Sequence, residues 1–236
     1  MLANLPVCPA FKPKLTDQVL IFAATGGTKS TLVATLTLGV DRLVAIDGKG
    51  SLTLPGGRTV QLPAFGEGKV ANPAFLSALH DALRVRPVGQ NRLVLRVAPE
   101  DIEELAPHDA IFRAIFEQGN RLVWLDEVSA TGATANICPR WLKAISARGR
   151  TKGLGIITCS QQPFAQCPMT LRRNANFTLF GPTEVQDLEK INRKDIDCVA
   201  EIAPYSGVFV VYKTGTPQPS RLHFTVPASL ANWQAP

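Results

Sequence analysis

One stretch near the start of the sequence constrains the fold more than any other. Residues 18–31 read QVLIFAATGGTKST, so an apolar run rich in strand formers leads into a glycine turn and then into the start of a helix. Successive backbone N–H groups and a helix N-terminus can surround an anion there, while a lysine reaches its terminal phosphates and a hydroxyl meets Mg²⁺. We therefore predict a phosphate-binding loop formed by Ala24, Thr25, Gly26, Gly27, Thr28, Lys29, Ser30 and Thr31.

This loop departs from the usual Walker A pattern at two positions. Counting back from Lys29, Ala23 stands at the first glycine position and Thr28 stands at the glycine that precedes the lysine. The second position brings the backbone close to a phosphate, often with a positive φ, which costs energy for a β-branched residue. On this stretch alone, an ordinary strand–turn–helix corner without a ligand remains the alternative interpretation.

Composition sets limits on the class of protein. The 236 residues, of which 45% are hydrophobic and 19% charged, suit a folded protein with a substantial core, and the net charge of +6 allows a polyanionic partner. No apolar run reaches the roughly 18 residues of a membrane span. The N-terminus lacks the regions of a signal peptide, so we expect neither feature. Five scattered cysteines without a C-x-x-C pair favour free thiols in a reducing compartment.

Beyond the loop, strand patterns alternate with helical patterns, which favours an α/β fold with one mostly parallel sheet flanked by helices. Strands are predicted at 42–47, 92–97, 121–127, 153–159 and 176–180, with a closing pair at 207–213 and 221–226. Helices are predicted at 32–38 and 74–83, from 107 to 118, from 139 onward, and from 183 to about 191. We also predict an inserted β-hairpin at 51–62, a single domain at 18–226, an irregular segment at 1–17 and a tail at 227–236.

Polar residues of the right kind for phosphoryl transfer follow two of these strands. Asp126 and Glu127 end one strand, and Gln161 follows the next. With the loop binding ATP, Asp126 and Ser30 would hold Mg²⁺, Glu127 would polarise the attacking water, and Gln161 would sense the terminal phosphate or orient that water. The alternative is a solvated strand end for the carboxylates and a simple turn before Pro163 for the glutamine.

Charge is segregated in the second half of the chain. Residues 128–183 contain no aspartate or glutamate, and the predicted surface there has one sign. Such a surface can meet DNA phosphates, the nucleotide of a neighbouring subunit, or both, whereas the simplest alternative is a solvated basic face. The basic residues of this segment are Arg140, Lys143, Arg148, Arg150, Lys152, Arg172 and Arg173.

Three sequence blocks together resemble a known family. The blocks LVWLDE at 122–127, ARGR at 147–150 and GLGIITCSQQP at 153–163 are similar to the HerA/FtsK branch of P-loop ATPases. This resemblance implies a RecA-like fold of the ASCE type, a ring that is usually hexameric, and translocation of double-stranded DNA. The small size is similar to that of genome-packaging ATPases of tailless, membrane-containing viruses. That similarity implies capsid or membrane-vertex partners, and a location in the host cytoplasm or at the packaging vertex of the virion.

The same resemblance implies a role for the arginines at the end of the predicted helix. In a RecA-like ring this corner can face the neighbouring subunit's nucleotide, where a guanidinium would neutralise charge on the γ-phosphate. Arg148 and Arg150 are the two candidates. We favour Arg150 because Gly149 gives the chain freedom to turn the side chain outward.

Other interpretations remain open. The loop GGTKST at 26–31 also resembles that of ParA-like ATPases, although those carry a further glycine before the lysine and lack the adjacent Asp-Glu pair. Phage assembly ATPases of the Zot type share the motor core but usually carry a membrane span. A degenerate P-loop module that binds DNA or a capsid without hydrolysing ATP is the non-enzymatic alternative.

Overall fold

In the computed structural model the described residues are 2–8, 11–25, 28–67, 70–183, 196–230 and 233, and they form one nine-stranded sheet with flanking helices. The strands are β1 (Gln18–Phe22), β2 (Leu43–Asp47), β3 (Arg58–Gln61), β4 (Leu93–Arg96), β5 (Arg121–Leu125), β6 (Leu154–Ser160), β7 (Phe177–Phe180), β8 (Val208–Lys213) and β9 (Ser220–His223). The helices are α1 (Lys29–Leu36), α2 (Pro73–Leu83), α3 (Leu105–Gln118), α4 (Arg140–Arg148), α5 (Met169–Asn174) and α6 (Ile196–Ala200).

The strand order of the sheet is β3-β4-β2-β5-β6-β1-β7-β8-β9. The first seven strands in this order are parallel, and β8 is antiparallel to both β7 and β9. The carboxyl ends of the parallel strands therefore meet at one side of the sheet, here called the carboxyl edge, and their amino ends meet at the opposite, amino edge. The predicted mostly parallel α/β fold is confirmed. Because β6 lies between β1 and β5, the segments that follow these three strands are neighbours.

Different parts of the chain cover the two faces of the sheet. Side chains alternate along β1, so that Leu20 and Phe22 join one core cluster while Val19 and Ile21 join the other. Helices α2 to α5 complete the first cluster, whereas α1 and the segment before β1 complete the second. Every residue of β1, β2, β5 and β6 is buried. This double coverage explains why these strands appear in the sequence as nearly continuous apolar runs.

The predicted β-hairpin at 51–62 is wrong. Within this stretch only Arg58–Gln61 forms a strand, and it pairs in parallel with β4 at the border of the sheet. The buried carboxylate of Asp47 accepts three backbone N–H groups from the turn that follows β2, and this holds the chain away from an extended strand. Leu52 and Leu54 then enter the core instead of facing a hairpin partner.

The predicted helices are present where the structure describes the chain, with small differences at their ends. Helix α3 begins at Leu105, two residues before the predicted start at Pro107. The short helix α5 was not predicted, because six residues after Pro168 carry too little periodic pattern to show a helix. For the helix predicted from 183 to about 191, all residues after Thr183 lie outside the described part of the chain.

The segment before β1 lies beside β9, the strand at one border of the sheet. Beside β9, the backbone N–H of Arg221 donates to the carbonyl of Pro6, and the N–H of Cys8 donates to the carbonyl of Arg221, both at 2.8 Å. These two bonds pair the segment with the outermost strand. Among the helices that the structure describes, none has the length and apolar character needed to cross a membrane.

Candidate nucleotide-binding site

The loop between β1 and α1 lies at the carboxyl edge. Its backbone is tied to neighbouring segments, since the N–H of Ala24 donates to the carbonyl of Pro182 at 2.7 Å. Thr28 adopts the left-handed conformation, with φ of 59° and ψ of 21°. This conformation is usual for glycine and costs a β-branched residue about 1–3 kcal/mol. The chain therefore keeps the backbone of a phosphate loop at Thr28 despite the substitution. The predicted loop residues Gly26 and Gly27 lie outside the described residues.

Lys29, the first residue of α1, turns its side chain back across the loop. Its ammonium donates to the carbonyls of Ala23 and Ala24, at 2.5 and 3.1 Å, and only 7% of the residue is exposed. Burial lowers the pKa of Lys29, while the carboxylates of Glu127 and Asp126 act in the opposite direction. A buried ammonium at the centre of this loop is placed to bind phosphate oxygens.

A hydrogen bond joins the loop to the end of β5. The hydroxyl of Ser30 donates to Oδ1 of Asp126 at 2.7 Å. Asp126 is 1% exposed, and its other oxygen, Oδ2, is buried without a hydrogen-bond partner among the described residues. Burial raises the pKa of this carboxyl group. Mg²⁺ prefers such a set, in which one or two carboxylates and a hydroxyl leave room for water and substrate phosphates. Ser30 and Asp126 thus fit the predicted metal site.

Glu127 is the second acid at the end of β5. It is 8% exposed, and Oε2 is buried with no hydrogen-bond partner in the described part of the chain. Its Oε1 accepts a long hydrogen bond, 3.5 Å, from the hydroxyl of Ser129. Burial raises the pKa of Glu127, and the charge of Lys29 opposes this shift. A buried carboxylate with a raised pKa beside a phosphate loop has the properties of a group that polarises an attacking water.

Gln161 follows β6 and contacts the loop directly. The hydroxyl of Thr25 donates to Oε1 of Gln161 at 3.1 Å. The segments that follow β1, β5 and β6 therefore meet at the carboxyl edge. This proximity of the loop, the Asp-Glu pair and Gln161 is the one that the sequence predicts.

Arg148 and Arg150 lie at the opposite side of the sheet. Arg148 ends α4, Arg150 lies in the turn before β6, and the guanidinium of Arg150 donates to Oδ1 of Asn176 at 2.6 Å. The same oxygen accepts the backbone N–H of Gln18, the first residue of β1. Strand β6 has seven residues, so roughly 23 Å separates the two edges at about 3.3 Å per residue. Neither arginine can reach the loop of its own chain.

One charged residue near the site was not predicted. Lys49 lies in the turn after β2, and its positive charge acts on Lys29, Asp126 and Glu127. A single lysine after a strand belongs to no recognisable motif. The available signal was topological, because β2 pairs with β5 and the turn after β2 therefore lies beside the Asp-Glu pair.

The basic residues of segment 128–183 are distributed over two places. Arg148, Arg150, Lys152 and Arg173 lie near the amino edge, whereas Arg140 and Lys143 lie at the start of α4 and Arg172 packs over Phe164, which follows β6. Several of them stack on aromatic rings, with Arg172 5.0 Å from the ring centre of Phe164. The predicted basic surface thus divides into a larger part far from the loop and a smaller part nearer to it.

The strand order and the position of the loop give the chain the RecA-like fold of P-loop NTPases. Solved structures share this fold. The genome packaging NTPase B204 from Sulfolobus turreted icosahedral virus 2, in complex with ATPγS, has a TM-score of 0.64 and 15% identity over 91% of this chain and 100% of B204. The bacterial conjugative coupling protein TrwBΔN70 has a TM-score of 0.56 and 12% identity, over 89% of this chain and 86% of the TrwBΔN70 chain. The structure of VirB4 of Thermoanaerobacter pseudethanolicus has a TM-score of 0.55 and 12% identity, over 94% of this chain and 98% of the chain in that structure.

These neighbours are all FtsK/HerA-type P-loop ATPases, so the predicted resemblance is confirmed at the level of the fold. At such low identity the likeness concerns the fold. No family model and no curated protein matches the sequence.

Proposed function

We propose that this protein is an ATP-driven translocase of double-stranded DNA that packages a viral genome. The observation that carries the proposal is the hydrogen bond between Ser30 and Asp126, beside one buried oxygen each of Asp126 and Glu127 that has no hydrogen-bond partner among the described residues and can receive a metal ion or water. The similarity to known structures supports the proposal, because the neighbour B204 is a genome packaging NTPase whose structure contains ATPγS.

In this proposal each residue of the site has one task. Ser30 and Asp126 would hold Mg²⁺, which would neutralise charge on the phosphates. The backbone of the loop and Lys29 bind the β- and γ-phosphates. Glu127 accepts a hydrogen bond from the attacking water and orients it. Gln161 senses the terminal phosphate, and its hydrogen bond with Thr25 connects it to the loop.

The proposed partners are duplex DNA and further copies of the chain. The exposed basic residues near the amino edge supply charge for phosphate contacts, which do not depend on base sequence. A closed ring, hexameric as the resemblance implies, would bring Arg150 of one subunit to the nucleotide of the next. Packaging also requires capsid or membrane-vertex proteins as partners. The protein would then act in the host cytoplasm or at the packaging vertex of the virion.

Phosphate release tests this function. The wild-type protein should release phosphate from ATP, faster with long duplex DNA, and should displace a third strand annealed to that duplex. Phosphate release without strand displacement would support ATPase activity but contradict translocation along DNA. If the protein binds ATPγS but releases no phosphate from ATP in the presence of DNA, this result would favour a P-loop module that does not hydrolyse ATP.

The second candidate is a P-loop module that binds nucleotide or DNA without hydrolysis. The side chain of Thr28 favours it, because a Cβ and hydroxyl stand where a glycine usually lets the phosphate approach. Measuring ATPγS binding and phosphate release on the same preparation separates the two candidates.

A further inference from the structure

The turn that follows β2 is a rigid structure at the carboxyl edge. One oxygen of Asp47, Oδ1, accepts the backbone N–H groups of Lys49 and Gly50 at 3.0 and 2.8 Å, and the other accepts that of Leu52 at 2.9 Å. Arg96 at the end of β4 completes the arrangement with an ion pair of 2.8 Å to the same carboxylate, whose side chain is fully buried. Four contacts to one carboxylate thus fix the backbone position of Lys49.

This turn is fitted against the segment that carries Glu127. Strand β2 is hydrogen-bonded to β5, and the pairing continues where the N–H of Asp126 donates to the carbonyl of Ile46 at 3.4 Å. Gly48 packs so closely that a Cβ added there would lie 2.3 Å from the Cβ of Ala130. No larger residue fits at position 48, so the turn and the segment after Glu127 hold each other in place.

The side chain of Lys49 is exposed, and its charge acts on the groups of the proposed nucleotide site. It is repelled by Lys29 and attracted by Asp126 and Glu127. The two lysines and the two carboxylates have formal charges that sum to zero. Removing Lys49 would leave an excess negative charge at a site proposed to receive an anionic nucleotide.

We propose that Lys49 is a second phosphate-binding lysine, which contacts the terminal phosphate of a bound nucleoside triphosphate from the side of β2 while Lys29 contacts it from the side of β1. This inference rests on the proposed function, because it requires a nucleotide in the loop. Through Lys49, the site would bind a nucleoside triphosphate more tightly than a nucleoside diphosphate.

Nucleotide affinity measures this preference. Fluorescent ATPγS and ADP are titrated with Mg²⁺ into the wild type, Lys49→Met and Lys49→Arg. A charge-assisted contact that is lost should weaken ATPγS binding by about tenfold in Lys49→Met. ADP binding should change less than about twofold, because ADP lacks the phosphate concerned. Lys49→Arg keeps the charge and should recover most of the affinity.

Two controls separate this inference from the proposed function. Lys213→Met removes another exposed lysine, at the amino edge, and should bind both nucleotides like the wild type. Lys29→Ala should lose both nucleotides. Unchanged ATPγS affinity in Lys49→Met, or an equal loss for ATPγS and ADP, would overturn the inference alone. Wild-type affinity in Lys29→Ala would overturn the proposed function itself. Thermal unfolding of each variant shows that the fold is retained.

Discussion

The hydroxyl of Ser30 donates a 2.7 Å hydrogen bond to the carboxylate of Asp126, which lies 96 residues further along the chain. The two residues belong to α1 and to the end of β5, and β6 separates β5 from β1 in the sheet. Such a buried contact between distant segments requires the parallel sheet to be formed. It combines the loop and the Asp-Glu pair into one site.

Lys29→Ala should abolish phosphate release while leaving the fold intact. The ammonium binds two backbone carbonyls and the proposed phosphates, whereas the apolar core does not depend on it. Removing such an electrostatic contact should reduce the rate by at least about 100-fold. Steady-state phosphate release checks the rate, and circular dichroism checks the fold. Unchanged turnover in a folded Lys29→Ala protein would remove Lys29 from the active site.

Thr28→Gly should stabilise the protein. Glycine relieves the strain of the positive φ but adds freedom to the unfolded chain, so the free energy of unfolding should rise by about 0.5–1 kcal/mol. Denaturant unfolding measures this change. Thr35→Gly, inside α1, is the matched control and should lower stability by a similar amount, because glycine disfavours helix. Destabilisation of Thr28→Gly would show that contacts of the threonine outweigh its strain.

DNA binding should be independent of base sequence and steeply dependent on salt. Each phosphate contact contributes about −0.9 to the slope of log affinity against log salt concentration. Replacing Arg148, Lys152 and Arg173 together by alanine should therefore make this slope less steep by up to about 2.7. Arg113→Ala, an exposed arginine of α3 paired with Glu117, is the control. Fluorescence anisotropy at several salt concentrations gives the slopes, and identical slopes for the triple variant would assign DNA contacts to another surface.

Arg150 should act on the nucleotide of a neighbouring subunit, because its position at the amino edge prevents contact with its own loop. Arg150→Ala should reduce DNA-stimulated hydrolysis by roughly 10³–10⁵-fold, the effect of an arginine finger. Mixing Arg150→Ala with Glu127→Gln subunits should restore some activity, since mixed rings contain sites with both residues intact.

The mixed rings must be demonstrated, for example by co-purification through two different tags. Full activity of Arg150→Ala alone would exclude it and leave Arg148 as the candidate. No recovery in rings shown to be mixed would contradict action across the interface, or would indicate that every subunit must fire.

Local sequence patterns predicted the parallel core and much of the site. Strands such as β5 are buried on both faces, so their apolar runs are visible without the structure, and Asp126 and Glu127 follow directly from the end of that run. The turn after β2 could not be predicted, because it depends on the ion pair between Asp47 and Arg96, two residues joined only when β2 and β4 pair. The pairing of β2 with β5, which is also long-range, brings Lys49 to the site.

We propose that Glu127 promotes ATP hydrolysis at a site that binds nucleotide without it. The most direct test measures ATPγS binding and DNA-stimulated phosphate release in Glu127→Gln, with Glu117→Gln, an exposed glutamate of α3, as the matched control. We expect Glu127→Gln to bind ATPγS like the wild type and to release phosphate roughly 10²–10⁴-fold more slowly, whereas Glu117→Gln keeps both properties. Phosphate release at the wild-type rate in Glu127→Gln would contradict the account, as would loss of ATPγS binding together with hydrolysis.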